Sequence, residues 1–277
     1  MALSLKKSPR PLKTPGSTAA LLFFEPSTRT RLSFEIAALR AGVASVVLDG
    51  GAGSSLQKGE SIEDTILNVA AMNPDFLVVR CADSVPLAEL STQFSAKVLN
   101  AGWGIKAHPT QALLDALTIR DHFGSFSGKK LLIIGDVKHS RVAASQFELM
   151  PRLRIEIAVC GPPEFLESLP PAQKRFSSLA EGLQWADVVI ALRPQIERHH
   201  QTMKISRSEY AQSYGLNAEV LRLFSAKGII MHPGPIHHGV EMQSEVLRDP
   251  RSRVLQQVSN GVYMREALIR WLGGEKT

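Results

Sequence analysis

Short apolar runs alternate with amphipathic stretches along nearly the whole chain, and this alternation constrains the fold more than any other feature. The runs have the length of buried strands, whereas the stretches between them have helical periodicity. Strands that alternate with helices predict an α/β architecture, in which helices cover both faces of parallel sheets. The predicted strands are residues 19–24, 45–48, 76–79, 97–99, 131–134, 155–159, 188–192 and 228–231.

The helical patterns and the length of the chain together favour two domains. At about 150 residues per domain, 277 residues leave room for two modest cores. The predicted helix 111–123 is followed by glycines and then by a new strand, so it indicates a boundary between two sheets of about four strands each. The remaining predicted helices are residues 30–41, 62–72, 86–94, 141–150, 177–184, 218–224 and 254–272.

Composition narrows the class of protein. The two cysteines lie in apolar runs and form no CxxC pair, and neither a membrane-length apolar stretch nor a secretory signal is present. We therefore expect a cytoplasmic protein without membrane contact. The net charge of +6 suits phosphate, acidic small molecules or nucleic acid. Nucleic acid is disfavoured because aromatic residues make up only 6% of the chain and no binding motif is present.

The segment F-F-E-P-S-T-R-T-R at residues 23–31 predicts a phosphate site. A strand ends there and a helix begins, with hydroxyls at Ser27, Thr28 and Thr30. A helix cap explains one hydroxyl. It does not explain Arg29 and Arg31, because cations are unfavourable at the positive end of a helix. A bound anion would remove this conflict.

Other charged residues also follow predicted strands. Arg80, Arg141 and Arg193 each come at or after a strand end, as do the segments H-P-T-Q at 108–111 and H-P-G-P at 232–235. Each has an ordinary structural explanation when taken alone. Together with Arg29, the arginines predict a substrate pair that bears phosphate and carboxylates. Metal-ligand spacing, a G-x-G-x-x-G turn and a Walker loop are all missing from the sequence, so we expect no metal or cofactor and catalysis by positioning and electrostatics.

The motifs resemble those of the aspartate carbamoyltransferase family, in the same order, over residues 19–271. They are FFEPSTRTR, SSLQKGES, VVR, HPTQALLD, GDVKHSR, RPQIER and HPGP. The sister ornithine family shares S-T-R-T but typically has H-C-L-P and an S-M-G loop. The resemblance implies two doubly wound parallel-sheet domains with the active site in the cleft between them. Residues 1–120 would bind carbamoyl phosphate, 121–253 would bind aspartate, and a C-terminal helix at 254–277 would pack back on the first domain.

The resemblance also implies roles for individual residues. The phosphate would be held by Ser27, Thr28, Arg29 and Thr30. The catalytic set that polarises the carbamoyl oxygen would be Thr30, Arg80 and His108. The carbamoyl NH2 would contact Gln111 and the carbonyls of Gly234 and Pro235, and aspartate would be bound by Lys58, Arg141, Arg193 and Gln195. Ser55 and Lys58 would reach the neighbouring subunit's site, which implies a homotrimer.

The implied reaction is carbamoyl transfer to the α-amine of L-aspartate, early in pyrimidine biosynthesis. Two other interpretations of the activity remain open, and so does the assembly of the trimer. The chain could carbamoylate another amino acid such as ornithine, or be a catalytically silent structural homologue. The trimer could also stand alone or join regulatory or dihydroorotase-like chains.

Two features depart from the family pattern. Residues 100–104 read N-A-G-W-G, with Trp103 where relatives have aspartate, and Ala107 precedes the histidine. We expect altered loop packing with retained chemistry. The chain also begins close to its first strand, so we expect the N-terminal helix of relatives to be missing and helix 254–272 to be partly uncovered.

Overall fold

The computed structural model describes residues 1–7, 16–50, 55–167, 169, 173–194 and 205–275. They form two compact units. Unit 1 comprises Met1–Leu114 and Val258–Thr277, and unit 2 comprises Asp115–Gln257. Both passages between the units lie inside helices, α5 (Pro109–Phe123) and α9 (Val254–Leu272), and not in loops.

Unit 1 is built on a four-stranded parallel sheet, whose strands in spatial order are β2 (Ala44–Asp49), β1 (Thr18–Phe23), β3 (Phe76–Cys81) and β4 (Lys97–Trp103). The inner strands β1 and β3 are buried along almost their whole length, because their residues are apolar on both faces. The edge strand β2 is exposed along most of its length. The elements are α1 (Ala2–Lys7), β1 (Thr18–Phe23), α2 (Thr28–Ala41), β2 (Ala44–Asp49), α3 (Ile62–Ala71), β3 (Phe76–Cys81), α4 (Leu87–Ser91) and β4 (Lys97–Trp103).

Two apolar clusters hold unit 1 together, one on each face of its sheet. One joins α2 and α9 to the sheet through Phe34, Ala37 and Ile269. The other joins α3 and α4 to the opposite face through Ile66 and Leu90. All five side chains are buried, and the sheet is therefore covered on both sides as the alternation of elements predicts.

Unit 2 is built on a five-stranded parallel sheet, whose strands in spatial order are β7 (Lys174–Phe176), β6 (Glu156–Cys160), β5 (Lys130–Ile134), β8 (Val188–Ala191) and β9 (Ile229–Met231). Apolar clusters again cover both faces of the sheet. The prediction of two parallel-sheet α/β domains is thus confirmed. The elements are β5 (Lys130–Ile134), α6 (Arg141–Leu149), β6 (Glu156–Cys160), β7 (Lys174–Phe176), α7 (Leu179–Trp185), β8 (Val188–Ala191), α8 (Arg207–Tyr214) and β9 (Ile229–Met231).

Three predictions of local structure in unit 2 are wrong. The strand β7 was not predicted because its sequence, K-R-F, is short and mostly charged. Helix α8 was not predicted because it lacks an apolar stripe, although a capping box formed by Ser206 and Glu209 defines its start. The stretch 218–224, predicted as a helix, contains only a 3-10 turn at Val220–Leu223.

The expectation that no N-terminal helix precedes the first strand is also wrong. The short helix α1 buries Leu5, and the Lys6 ammonium donates a hydrogen bond to Asn260 Oδ1 of α9 at 2.9 Å. Part of α9 nevertheless remains uncovered, since Leu255 is 83% and Trp271 is 59% exposed.

Candidate active site

In unit 1, the predicted phosphate and carbonyl ligands follow three neighbouring strands. Residues 27–30 come after β1, Arg80 is the penultimate residue of β3, and His108 comes after β4. Since β1, β3 and β4 are adjacent and parallel, these residues lie at one edge of the sheet. The carboxyl edge of a parallel sheet is where ligands bind in such folds.

The start of helix α2 has the features of an anion site. The helix begins at Thr28, two residues earlier than predicted, and Ser27 precedes it without forming a side-chain cap. The N–H groups of Thr28, Arg29 and Thr30 are therefore the first three of the helix, which find no carbonyl partner within it. Partial burial lowers the pKa of the Arg29 guanidinium, which stays protonated at any physiological pH. A phosphate would satisfy both the N–H groups and the cation.

Arg31 does not belong to this anion site. Its guanidinium forms ion pairs with Asp49 at the end of β2 and, at 3.2 Å, with Glu35 one turn further along α2. The two carboxylates balance the charge of Arg31, so this arginine needs no bound anion, contrary to the prediction from the sequence. Only Arg29 therefore supports that argument.

Arg80 is fixed in place by its neighbours. The side chain is buried, its Nε lies 3.5 Å from Glu25 Oε2, and its Nη1 donates to the carbonyl of Ala101 at 3.4 Å. Its own carbonyl accepts a hydrogen bond from the Phe24 N–H at 2.9 Å. Sequence reasoning assigned no role to Glu25, because only the parallel pairing of β1 with β3 brings it to Arg80.

His108 and Gln111 are held by the start of helix α5. His108 immediately precedes the helix, and both side chains are buried. Between them, Thr110 Oγ1 accepts a hydrogen bond from Arg265 of α9 at 3.3 Å. Arg265 is itself buried and stacks over the Phe34 ring, which ties this turn to the core of unit 1.

Trp103 packs the loop that leads to His108. Its N–H and carbonyl pair with Ala107 in an isolated antiparallel bridge, and its indole N–H donates to the Val85 carbonyl at 2.9 Å. The Lys106 ammonium lies 4.3 Å from the centre of the indole ring. The unusual residues of this segment therefore form a closed loop of their own.

The residues predicted to reach a neighbouring subunit lie in a separate turn of unit 1. Ser55 begins a 3-10 turn that ends at Lys58, and the Lys58 side chain is exposed.

In unit 2, the predicted aspartate ligands also follow neighbouring strands. Arg141 comes after β5, Arg193 after β8, and residues 232–235 after β9, at the carboxyl edge of one sheet. Arg141 and Arg193 are both partly buried. Gln195 lies outside the described residues.

The turn before Arg141 is organised by two polar side chains. The Asp136 carboxylate accepts from the backbone N–H of His139 at 3.2 Å and lies 2.8 Å from the imidazole Nδ1. Ser140 caps helix α6 by accepting from the Ala143 N–H. Arg141 is therefore the first residue of that helix, and its position follows from the cap.

The segment His232–Pro235, here called the HPGP loop, follows β9 and contains a cis peptide bond between Gly234 and Pro235. Gly234 has a φ of 68°, and its N–H donates to His232 Nδ1 at 2.8 Å. The loop is thus closed on itself, with the histidine ring buried beneath it.

Other kinds of site are not found among the described residues. They contain no group of three or more His, Cys, Asp or Glu side chains that could hold a metal ion. In the same part of the chain, no helix has the length and apolarity needed to span a membrane.

Comparisons with known proteins identify the family. The family model "aspartate/ornithine carbamoyltransferase, carbamoyl-P binding domain" matches residues 1–121, and the "Asp/Orn binding domain" model matches residues 127–272. The aspartate carbamoyltransferase catalytic subunit of Helicobacter pylori (strain Shi470) is 44% identical over 256 residues, which are 91% of this chain and 82% of the relative. That of Pelobacter propionicus is 43% identical over 260 residues, which are 92% and 83% of the two chains.

Solved structures agree with this result. Aspartate transcarbamoylase from Trypanosoma cruzi in complex with carbamoyl phosphate superposes with a TM-score of 0.84 at 31% identity, covering 97% of this chain and 88% of that one. Ornithine carbamoyltransferase from Thermus thermophilus superposes with a TM-score of 0.81 at 27% identity, covering 98% and 91%. The chain therefore belongs to the aspartate/ornithine carbamoyltransferase family.

Proposed function

We propose that this chain transfers the carbamoyl group of carbamoyl phosphate to the α-amine of L-aspartate, giving N-carbamoyl-L-aspartate and phosphate. The observation that carries the proposal is the arrangement of arginines. Arg29 and Arg80 lie at the carboxyl edge of one sheet, and Arg141 and Arg193 lie at that of the other. Guanidinium groups bind phosphate and carboxylates in bidentate fashion, as a phosphorylated donor and a dicarboxylate acceptor require. The names of the relatives agree with this reaction.

In the proposed reaction, the residues of unit 1 act on carbamoyl phosphate. The exposed N–H groups at the start of α2 and the Arg29 guanidinium bind the phosphate. Thr30, Arg80 and His108 stabilise the oxyanion that forms when the neutral amine attacks the carbamoyl carbon. A C–N bond forms between the amine and the carbamoyl carbon, and the bond between that carbon and the bridging oxygen of the phosphate breaks. The departing phosphate takes up the proton of the amine. The reaction then needs no protein base and no cofactor.

The residues of unit 2 bind the acceptor. Arg141, Arg193 and Gln195 bind the carboxylates of aspartate, and Lys58, from unit 1 of the neighbouring subunit, adds a further cation. The carbamoyl NH2 donates hydrogen bonds to the carbonyls of Gly234 and Pro235 and to the side-chain oxygen of Gln111. Cationic side chains favour aspartate over ornithine, because the side-chain ammonium of ornithine would require acidic partners.

A ureido-product assay with aspartate and ornithine as competing acceptors tests this assignment. Carbamoylaspartate is expected as the main product. A preference for ornithine would support the alternative carbamoyltransferase, whereas a folded protein without turnover on either acceptor would support a silent homologue.

The proposed active unit is a homotrimer with shared sites. Unit 1 exposes apolar side chains at Leu32, Ile36 and Leu39 on α2 and at Val47 on β2, whose partner Leu21 belongs to the cluster on the α2 face of the sheet. The three α2 residues are spaced by four and three positions, so they line one face of the helix. An edge strand beside an exposed apolar helix face is typical of an interface between subunits.

Mixing two inactive variants tests shared sites. If Lys58 serves the neighbour's site, Lys58→Ala and Arg80→Ala chains that are unfolded and refolded together regain roughly a quarter of wild-type activity, since random assembly makes that share of the sites intact. Native mass spectrometry on the same samples gives the number of chains and detects any partner chain. Failure to regain activity in confirmed trimers would contradict shared sites. We further propose that the reaction serves pyrimidine biosynthesis in the cytoplasm.

A further inference from the structure

A buried carboxylate lies behind the HPGP loop. Glu241 is fully buried, six residues after the loop ends, and none of the roles proposed above involves it. Its Oε1 lies 3.1 Å from His232 Nε2 and accepts a second hydrogen bond from the backbone N–H of His237 at 2.7 Å. Burial of a carboxylate lowers stability unless the group is hydrogen-bonded, and these two contacts provide hydrogen bonds to Oε1.

The hydrogen bonds determine which nitrogen of His232 carries the proton. The Gly234 N–H donates to Nδ1, which must therefore be unprotonated. The proton lies on Nε2, where it is donated to Glu241. Glu241 thus selects the tautomer of His232 that can hold the Gly234 backbone.

The first residue of the loop is anchored independently. The backbone N–H of His232 donates to Gln257 Oε1 at 2.8 Å, and Gln257 Nε2 donates to Asp115 Oδ1 at 2.8 Å. Gln146 donates to the other oxygen of Asp115. These hydrogen bonds fix the backbone of His232 where the loop leaves β9. The hydrogen bond to the imidazole then fixes the position of the Gly234 backbone.

We infer that Glu241 and His232 are positioning residues that set the selectivity of the site for a carbamoyl group over an acyl group. This inference rests on the proposed function, in which the Gly234 and Pro235 carbonyls accept hydrogen bonds from the carbamoyl NH2. A group that lacks those N–H donors would leave the carbonyls desolvated and unpaired. The penalty applies only while the loop is held rigid, and Glu241 holds it through His232.

Acetyl phosphate is the discriminating probe, because it carries a methyl group where carbamoyl phosphate carries NH2. Inorganic phosphate is the reference, because its proposed ligands all lie in unit 1. Calorimetric titration of the wild-type protein with the three compounds is expected to give at least about tenfold tighter binding of carbamoyl phosphate than of acetyl phosphate, the value of one well-placed hydrogen bond.

Two substitutions of Glu241 separate hydrogen bonding from charge. Glu241→Ala removes the acceptor and is expected to lower the preference for carbamoyl phosphate roughly tenfold, with phosphate binding unchanged. Glu241→Gln retains an acceptor oxygen and is expected to stay within about threefold of wild type. A merely structural role would affect all three ligands alike.

Two substitutions of His232 test the link without removing the carboxylate. The amide oxygen of His232→Asn lies near the position of Nδ1 and can accept from the Gly234 N–H. The amide nitrogen of His232→Gln lies near the position of Nε2 and can donate only to Glu241. We expect His232→Asn to retain more of the selectivity than His232→Gln. This pair also decides the matter if Glu241→Ala fails to fold.

Asp249→Asn is the matched control, since it disrupts another carboxylate pair of unit 2, that with Arg251. It is expected to retain wild-type selectivity. Unchanged selectivity in Glu241→Ala, or equal loss in both His232 variants, would overturn the inference. A wild-type protein that binds with the expected selectivity but does not turn over aspartate would contradict the proposed function alone.

Discussion

The two units present their candidate ligand-binding residues on different kinds of structure. In unit 1, Arg80 lies within a strand, residues 27–30 span the start of a helix, and His108 adjoins the start of another. Among the described candidates of unit 2, Arg141 lies on a regular element, while Arg193 follows β8 and the HPGP loop is irregular. Hydrogen bonds of regular backbone position the first set, whereas side-chain hydrogen bonds position much of the second.

This difference matches the roles proposed for the two sets, which are oxyanion stabilisation in unit 1 and selectivity in unit 2. Groups placed by strands and helix starts are preorganised, as the stabilisation of an oxyanion requires. Residues in loops can be substituted without disrupting the sheet that supports them.

The largest expected effect is on the chemistry assigned to unit 1. Arg80→Ala should lower kcat for carbamoylaspartate formation about 10³-fold, because it removes a preorganised cation from the oxyanion. Arg31→Ala is the control, since that arginine is paired with Asp49 and Glu35, and it should leave kcat within about threefold of wild type. Equal losses in the two variants would contradict the special role of Arg80.

The next effect should be confined to unit 2. Arg141→Ala should raise KM for aspartate roughly 100-fold, by loss of a charge-assisted bidentate contact, and change KM for carbamoyl phosphate little. Steady-state kinetics with each substrate varied in turn measures both values. Arg152→Ala removes an exposed arginine paired only weakly with Glu148, so it should change neither. A parallel rise in both KM values for Arg141→Ala would contradict the division of labour between the units.

A smaller effect concerns the stability of unit 1. Gly104 has a φ of 47°, and a Cβ placed on it would lie 2.5 Å from the Asp83 backbone nitrogen. Gly104→Ala should lower the free energy of unfolding by about 2 kcal/mol, through both backbone strain and overlap. Gly16 also has a positive φ but open space around it, so Gly16→Ala should cost about half as much in the same denaturant titration. Equal costs would show that the loop yields to the extra atom.

The smallest effect concerns unit 2 and depends on pH. Hydrogen bonds from Arg251 hold the pKa of Asp249 below its usual 3.8. A lowered folded-state pKa stabilises the protein above pH 3.8, and this contribution disappears as the pH falls through the folded-state value. Asp249→Asn should therefore cost roughly 1 kcal/mol at pH 7. The thermal stabilities of the two proteins should converge as the pH falls through the folded-state pKa of Asp249, and a constant difference would contradict this origin.

The sequence predicted most of the fold because buried parallel strands are continuous apolar runs. Strands β1, β3, β5 and β8 are of this kind and lie inside their sheets. Elements whose sequences contain neither an apolar run nor an apolar stripe were not predicted. The charged edge strand β7, the polar helix α8 and the short helix α1 depend on packing or capping that periodicity does not reveal.

Site residues could be predicted from the sequence where they follow a predicted strand. Arg80, Arg141 and Arg193 could be placed at sheet edges because each follows an apolar run. Glu25 and Glu241 could not be assigned, because their partners come from another strand or from across a loop. The alternation of elements predicts which edge a residue occupies, and only the three-dimensional structure tells which side chain it contacts.

The passage of both connections through helices has a consequence for how the protein is made. Unit 2 is a continuous stretch of chain, so it can fold once residue 257 has left the ribosome. Unit 1 needs Ile269 of α9 in its core, together with the pairing of Arg270 with Glu266 and the Arg40 carbonyl. The unit that is synthesised first is therefore finished last. During translation the sheet face that packs against α2 stays incompletely covered until α9, made more than 140 residues later, completes it.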